Sequence, residues 1–544
     1  MISNMESSHR NWFNSAVIYQ IYPRSFYDAD GNGVGDLAGI TEKLDYLCGT
    51  PDSLGVNAIW ICPFYASPMA DGGYDVSDYR AVAPIFGKLE DFKHLLKEAH
   101  ARNLKVFIDF VPNHTSEQHR WFLDAKRSKT SDHRDWYVWQ DAAESGLPPN
   151  NWLSIFGGSA WEYDEPSRQY YLHSFLKEQP DLNWENPAVR AAMHEEMRFW
   201  LDMGIDGFRV DAVNWLSIDP KFADEPPNPA YRAGKDDPYK ALIHTKSIKG
   251  PRLYEYLLGM TEVVKSYKNR FMITEAYPTR WDDTAGYMRY YRDVDPRVSA
   301  PFNFEAIFSP WDALSFRHFI DRYERALRAD YTPIYSLGNH DSPRVASRIG
   351  EAAARTAAMM QLTLPGTPTI YYGDELGMVD AIIERDDTKD LFEKNVPDQG
   401  LGRDPERTPL PWNGSKNAGF TSGKPWLPVG TDYKERNVEK QKTDSSSLLN
   451  LYRQLLKLRN GSNILKYGSY KSVTLHPHVF AYIRKLGRER LAIVLNFSAN
   501  ELIVSAAHIA GEVRLSTYLD KPTALDAGSL RLRPHEGLII ALRS

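Results

Sequence analysis

Four segments carry polar residues at the ends of β-branched apolar runs: VFIDFVPNH (106–114), GFRVDAV (207–213), FMITEAY (271–277) and YSLGNHD (335–341). They place Asp211, Glu275 and Asp341 at the ends of three predicted strands, with Arg209, His114 and His340 beside them. Burying a charge is costly unless it is paired, so stability alone does not put carboxylates there. One such residue reads as half of a structural ion pair. Three of them, with an arginine and two histidines in one layer, read as a site that does chemistry.

Paired carboxylates fit glycoside hydrolysis. A retaining enzyme needs two carboxyl groups about 5–5.5 Å apart, one a nucleophile and the other an acid that becomes a base. The ends of neighbouring barrel strands bring Asp211 and Glu275 to that range. Arg209 lies two residues before Asp211, so on a strand both side chains face the same way. Its guanidinium is expected to lower the Asp211 pKa and keep the nucleophile ionised. A buried Arg–Asp pair holding a barrel would explain this segment alone; the strand-end position and the companion motifs favour catalysis. Glu275 follows the apolar FMIT with no adjacent cation, a setting expected to raise its pKa as a general acid requires. Asp341 would orient sugar hydroxyls and stabilise the oxocarbenium-like transition state. Taken singly, NHD and PNH are weak signals.

A second constellation is DADGNGVGD (28–36), with oxygen side chains at alternate positions and glycines allowing a tight curl. It resembles the start of an EF-hand loop, and Asp28, Asp30, Asn32, the carbonyl of Val34 and Asp36 would hold a hard cation.

These residues must be positioned by a large frame. The chain has 544 residues, enough for one large domain with appendages. Strand candidates at 16–23, 58–64, 105–111, 207–213, 271–277, 301–307, 332–339 and 367–375 alternate with helical patterns such as LEDFKHLLKEAHARN (89–103) and PAVRAAMHEEMRFWLDMG (187–204). The latter opens on proline and ends on glycine, as a helix should. Eight alternations predict a (β/α)8 TIM barrel over 1–114 and 187–465. An inserted subdomain over 115–186, irregular and mostly β, follows the third strand. A loop insertion over 378–446 follows the eighth. From 466 to 544 short alternating strands without helices predict a separate C-terminal antiparallel β-sandwich.

The net charge of −6 gives no electrostatic footprint for nucleic acid or an anionic membrane. The 14 Trp, 31 Tyr and 23 Phe serve core packing or sugar stacking, and composition does not choose between them. Two cysteines, Cys48 and Cys62, are too few for a disulfide framework and fit a reducing compartment. No apolar leader stands at residues 1–15 and no stretch is long enough to span a bilayer, so a cytoplasmic protein is expected.

The chain as a whole resembles the α-glucosidases of glycoside hydrolase family 13, the α-amylase clan, in the oligo-1,6-glucosidase and maltase branch. The resemblance runs from AVIYQIYPRSF (16–26) through QPDLNWENP (179–187) to GRDPERTPLPW (402–412). It implies Asp211 as nucleophile, Glu275 as acid/base and Asp341 as transition-state stabiliser, with His114, Arg209 and His340 holding the sugar in the −1 subsite. It further implies that Asp71 and Tyr74 of DGGYD (71–75) close the glucose pocket, with Arg407 paired to Asp71 across the far wall. Such a wall makes the enzyme exo-acting on one terminal glucose. For Asp71 alone a turn role before Gly-Gly suffices, and only the pairing lifts it above that. The metal at 28–36 is implied to be structural calcium, with magnesium as the alternative, and no organic cofactor is implied. In this branch valine after the nucleophile accompanies α-1,6 activity, and Ala212 here leans towards α-1,4-linked or similar short α-glucosides. The partner is then a small-molecule α-glucoside, the covalent intermediate allows transglycosylation, and the assembly is a monomer or homodimer. Trehalose synthase and oligo-1,6-glucosidase fit the same motifs; sucrose isomerase is disfavoured because 301–319 lacks an Arg/Asp-rich loop. A non-catalytic relative of transporter subunits is disfavoured by the intact carboxylates.

Overall fold

The computed structural model of the protein describes residues 11–278, 280–520, 524–525 and 528–543. Residues 1–10, most of the stretch read above for a leader, lie outside them.

Eight short parallel strands form one sheet. They are β1 (Ile18–Ile21), β2 (Ala58–Ile61), β3 (Lys105–Phe110), β4 (Gly207–Val210), β5 (Phe271–Thr274), β6 (Ser299–Asn303), β7 (Ile334–Tyr335) and β8 (Thr369–Tyr371). Neighbours follow chain order from β1 to β7, and β1 also pairs with β8. A parallel bridge between Ser336 and Thr369 closes the ring. Strands buried on both faces need continuous apolar runs, and IYQI, AIWI and FMIT are buried at every position. Gly207 is demanded by the closure: a Cβ there would stand 2.1 Å from the Phe271 carbonyl oxygen and 2.5 Å from the Phe107 ring.

Each strand is followed by a helix. The longest, Pro187–Met203, shows why: Asn186 accepts from the Ala188 N–H, proline occupies the first turn, and Gly204 closes it at φ 108°. Its Val189, Met193, Met197 and Trp200 are buried, one stripe at helical spacing laid on the barrel.

Within 115–186 an antiparallel sheet of Trp139–Asp141, Gln169–Leu172 and Trp161–Asp164 forms, preceded by one helix at Arg120–Arg127. A bridge from His114 to Asp181 ties it to the barrel, and one from Tyr137 to Leu182 braces it internally. The segment after β8 carries short helical turns and returns to the loop after β1, where the Trp426 backbone N–H donates to the Gly33 carbonyl. Beyond it, antiparallel strands make a six-stranded sheet and a two-stranded ribbon. Alternation divides the sheet: Phe480, Tyr482 and Ile493 pack on the barrel, whereas Val479, Ala481 and Val494 join Val504 and Leu532 of the ribbon. Among the described residues no helix is long and apolar enough to cross a membrane.

Candidate active site

Register assembles the centre. Arg209 of β4 stands level with Asp109 of β3, and Asp211 and Glu275 follow at the carboxyl ends of β4 and β5. The Arg209 guanidinium is buried and serves all three acids. Nη1 donates to Asp109 at 2.8 Å and to Asp211, and Nη2 lies 2.6 Å from Glu275 Oε1. Asp211 and Glu275 are therefore brought together within the span of one guanidinium, a placement compatible with the close carboxylate spacing of retaining chemistry.

Sharing that cation changes the expected electrostatics. Burial pushes Asp211 well above the usual carboxylate range; Arg209 opposes this, while Glu275 and Asp109 add to it. One guanidinium divided among three carboxylates does not hold the nucleophile candidate down, contrary to the reading of 209–211 alone. Burial likewise lifts Asp109 to about 6. Glu275, expected in an apolar setting, instead pairs with Arg209 and accepts two hydrogen bonds, from the Tyr277 hydroxyl at 3.0 Å and from the Ala212 N–H at 2.9 Å.

Asp341 has the opposite setting. Arg407 Nη2 lies 2.8 Å and Arg403 Nη1 3.3 Å from its Oδ1, and His340 Nε2 is 3.2 Å from Oδ2. Burial alone would raise it, but the two arginines hold it well below the carboxylate range. His340 is itself kept neutral by burial. Its ring stacks on Tyr74 with centroids 5.3 Å apart, and Gln20 Nε2 lies 2.8 Å from its Nδ1. His114, pushed down to about 3 by burial, contacts the Tyr74 carbonyl at 3.2 Å and Gln179 at 3.0 Å.

The far wall departs from expectation. Asp71 pairs with Arg403 at 2.7 Å, not with Arg407. The same Arg403 nitrogen also binds Asp390 at 2.7 Å. Arg407, on the turn Pro405–Arg407, is directed to Asp341 and donates Nε to the His340 carbonyl at 2.7 Å. GRDPER carries two arginines four residues apart, and spacing does not say which one a turn aims across the cavity.

A cavity of about 1080 Å³ opens over these groups, lined by Asp71, Tyr74, His114, Asp211, Glu275, His340 and Asp341. Arg209 and Arg407 lie behind that surface, as its counter-charges. The sequence reading missed Asp109, Gln179, Asp390, Arg403 and Tyr277. Asp109 was visible as a charge inside the apolar VFIDFV; the others sit in loops whose register no pattern sets.

At 28–36, one carboxylate oxygen each of Asp28, Asp30 and Asp36 lies within 4.8 Å of the others. Gly31 and Gly33 donate to Asp28 at 2.8 and 2.7 Å, and Val34 N–H donates to Asn32 Oδ1 at 2.8 Å. Three converging acids keep lone pairs beyond those bonds, a donor set that fits a hard cation.

A closed (β/α)8 barrel that gathers carboxylates from successive strand ends around one arginine, beneath a cavity, is the frame of a glycoside hydrolase. The α-amylase catalytic-domain model matches residues 20–468. The chain is 37% identical to the oligo-1,6-glucosidase of Parageobacillus thermoglucosidasius, over 98% of this chain and 99% of that protein. It is 40% identical to maltase 1 of Drosophila virilis, over 98% of this chain and 87% of that protein. Among solved structures, the α-glucosyl transfer enzyme XgtA superposes with a TM-score of 0.91 at 38% identity, covering 98% of this chain and 100% of that one. The chain belongs to the α-amylase family, glycoside hydrolase family 13, and is a glucosidase of it.

Proposed function

We propose that the protein is a retaining, exo-acting α-glucosidase that releases α-glucose from the non-reducing end of short α-glucosides, α-1,4 linkages before α-1,6. The observation that carries this reading is the double ion-pair wall, Asp390–Arg403–Asp71 beside Arg407–Asp341, which would close the pocket behind a single terminal ring. Tyr74 and His340 supply the stacked floor, and His114 and Asp71 lie at the ring's hydroxyl edge. Asp211 attacks the anomeric carbon as the leaving oxygen takes a proton from Glu275. Asp211, Glu275 and Asp109 surround the one Arg209 guanidinium, and the attack needs Asp211 ionised beside it. Asp341, held ionised, stabilises the positive charge that develops on the ring. Water, or a second sugar, then intercepts the glucosyl–Asp211 ester with Glu275 as base.

Calcium bound by Asp28, Asp30, Asn32, the Val34 carbonyl and Asp36 would brace this loop and supply no chemistry. Two free cysteines, one buried, support a reducing, cytoplasmic setting. Incubation with maltose, isomaltose, sucrose, nigerose and trehalose, with the first anomer followed by NMR, tests the reading. α-Glucose released fastest from maltose is expected. β-Glucose as first product, or trehalose as the main product from maltose, overturns it.

A further inference from the structure

The run Glu-Pro-Pro-Asn-Pro at 225–229 opens an irregular excursion between β4 and the helix Leu253–Lys265, and the mechanism above uses none of its bonds. Prolines at 226, 227 and 229 fix φ and offer no N–H, so the entry is stiff and poor in donors. Its base is closed by the Ile243 N–H on the Pro226 carbonyl at 2.9 Å and the Asn228 N–H on the Ala241 carbonyl at 2.8 Å. Next to that base sits Glu225, 2% exposed. Its Oε1 accepts from the N–H groups of Thr245, Lys246 and Ser247 at 2.9, 2.6 and 2.7 Å, and from the Ser247 hydroxyl at 2.9 Å. Its Oε2 accepts from the Thr245 N–H at 2.8 Å and the Thr245 hydroxyl at 3.0 Å. Three successive amides turned onto one carboxylate make a nest for an anion. Burial opposes the charge, yet these donors hold the carboxyl below its usual range. The Glu225 backbone is paired in turn with the Asn151 side chain, N–H to Oδ1 at 2.8 Å and carbonyl from Nδ2 at 2.9 Å. One residue thus fastens the excursion both to 245–247 and to the inserted segment.

The excursion forms one side of the cavity, where Tyr239, Leu242, Ile243 and His244 line it together with Trp281 and Phe308. Exposure sorts the lining into an inner end and a mouth. Asp71, Tyr74, His114 and His340 are buried, whereas Ile243 is 41% and Phe308 48% exposed. Glu225 is not part of the lining and lies behind the wall. His244 carries its hold forward: the ring stacks on Tyr239 with centroids 3.6 Å apart, Nε2 lies 2.8 Å from the Tyr239 carbonyl, and Nδ1 lies 3.2 Å from the Ser247 hydroxyl. We infer that Glu225 is a positioning residue for the leaving half of the substrate, clasping 245–247 and so fixing the mouth wall against which the departing sugar rests. This rests on the α-glucosidase reading of the pocket. The glucose that joins Asp211 occupies the buried inner end, and only the group beyond the scissile bond reaches the wall that Glu225 holds. A clasp that merely stabilised the fold would affect every substrate alike. One that positions the mouth affects substrates with a second ring.

The test compares maltose with α-glucosyl fluoride, whose leaving group carries no ring. Glu225→Gln keeps the volume but turns an amide donor onto the donors of 245–247. KM for maltose is expected to rise by about tenfold, with kcat and KM for the fluoride unchanged, the signature of lost binding rather than lost chemistry. Ser247→Ala removes one donor to Glu225 and the contact to His244, and should move KM for maltose in the same direction by less. It retains the other bonds of the clasp, so it carries the comparison if Glu225→Gln does not fold. Equal losses on the two substrates overturn the inference, as does an unchanged KM for maltose. A parent enzyme that hydrolyses neither substrate sinks the glucosidase reading itself, an outcome visible before any variant is made.

Discussion

Arg403 and Arg407 divide two tasks that one arginine seemed able to perform. Arg403 neutralises Asp71 and Asp390 and touches Asp341, whereas Arg407 serves Asp341 and the His340 backbone. A double-mutant cycle on stability should therefore give a coupling of about 1–3 kcal/mol for Asp71→Asn with Arg403→Gln, and a smaller one for Asp71→Asn with Arg407→Gln. Comparable couplings would contradict the observed pairing. Ala212 carries a second expectation. A β-branched residue in the left-handed region is strained, so Ala212→Val should lower the unfolding temperature and cost roughly 1–2 kcal/mol, while Ala212→Gly should not lose stability through the backbone. Tilting that N–H also weakens its bond to Glu275, so Ala212→Val should lower maltose turnover as well.

At the scale of elements, the loop 28–36 and the segment after β8 behave as one unit. Asp28 N–H donates to Phe420, Trp426 N–H to Gly33, and Thr421 Oγ1 to the Asp28 carboxylate. If calcium sits among Asp28, Asp30 and Asp36, chelation should lower the unfolding temperature, added calcium should restore it, and Asp28→Ala should abolish the response. Scanning fluorimetry in the presence and absence of chelator measures this. The strands and helices of the barrel were legible in the chain because each had a period and a cap: FMIT is apolar throughout, and 187–204 carries its Asn–Pro start and glycine stop. Asp211 and Glu275 were legible for the same reason, since each directly follows its strand; Asp341 stands beyond the end of β7 at Tyr335, and its Asn–His–Asp run made it legible instead. The partner of Asp71 was not, because Arg403 and Arg407 lie in a loop without period. Nor was the electrostatic state of Asp211 legible, since it depends on how many acids share Arg209, and Asp109 and Glu275 come from separate strands.

Over the whole molecule, the segment 115–186 is joined to the barrel through a buried acid. Asp181 accepts from Asn113 Nδ2 at 3.0 Å and from the Ser174 N–H at 3.1 Å, and burial lifts its pKa to about 7. A carboxyl raised above its unfolded value contributes stability that is full below that value, near 4, and is lost as pH rises through about 7. Asp181→Asn cannot ionise, so its unfolding temperature relative to the parent should be higher at pH 8 than at pH 5. A pH-independent difference would show that the site stays neutral, or stays charged, across that range.

The ion pair between Asp71 and Arg403 joins residues 332 positions apart. On a ribosome the chain therefore exposes Asp211, Glu275 and Asp341 well before either arginine of 402–407 has been made. Until then the far wall lacks its counter-charges, and Asp71 has no cation to pair with. Synthesis of those few late residues supplies the charge balance of the far wall, so a chain stopped short of them would carry Asp211, Glu275 and Asp341 without the arginines that pair with Asp71 and Asp341.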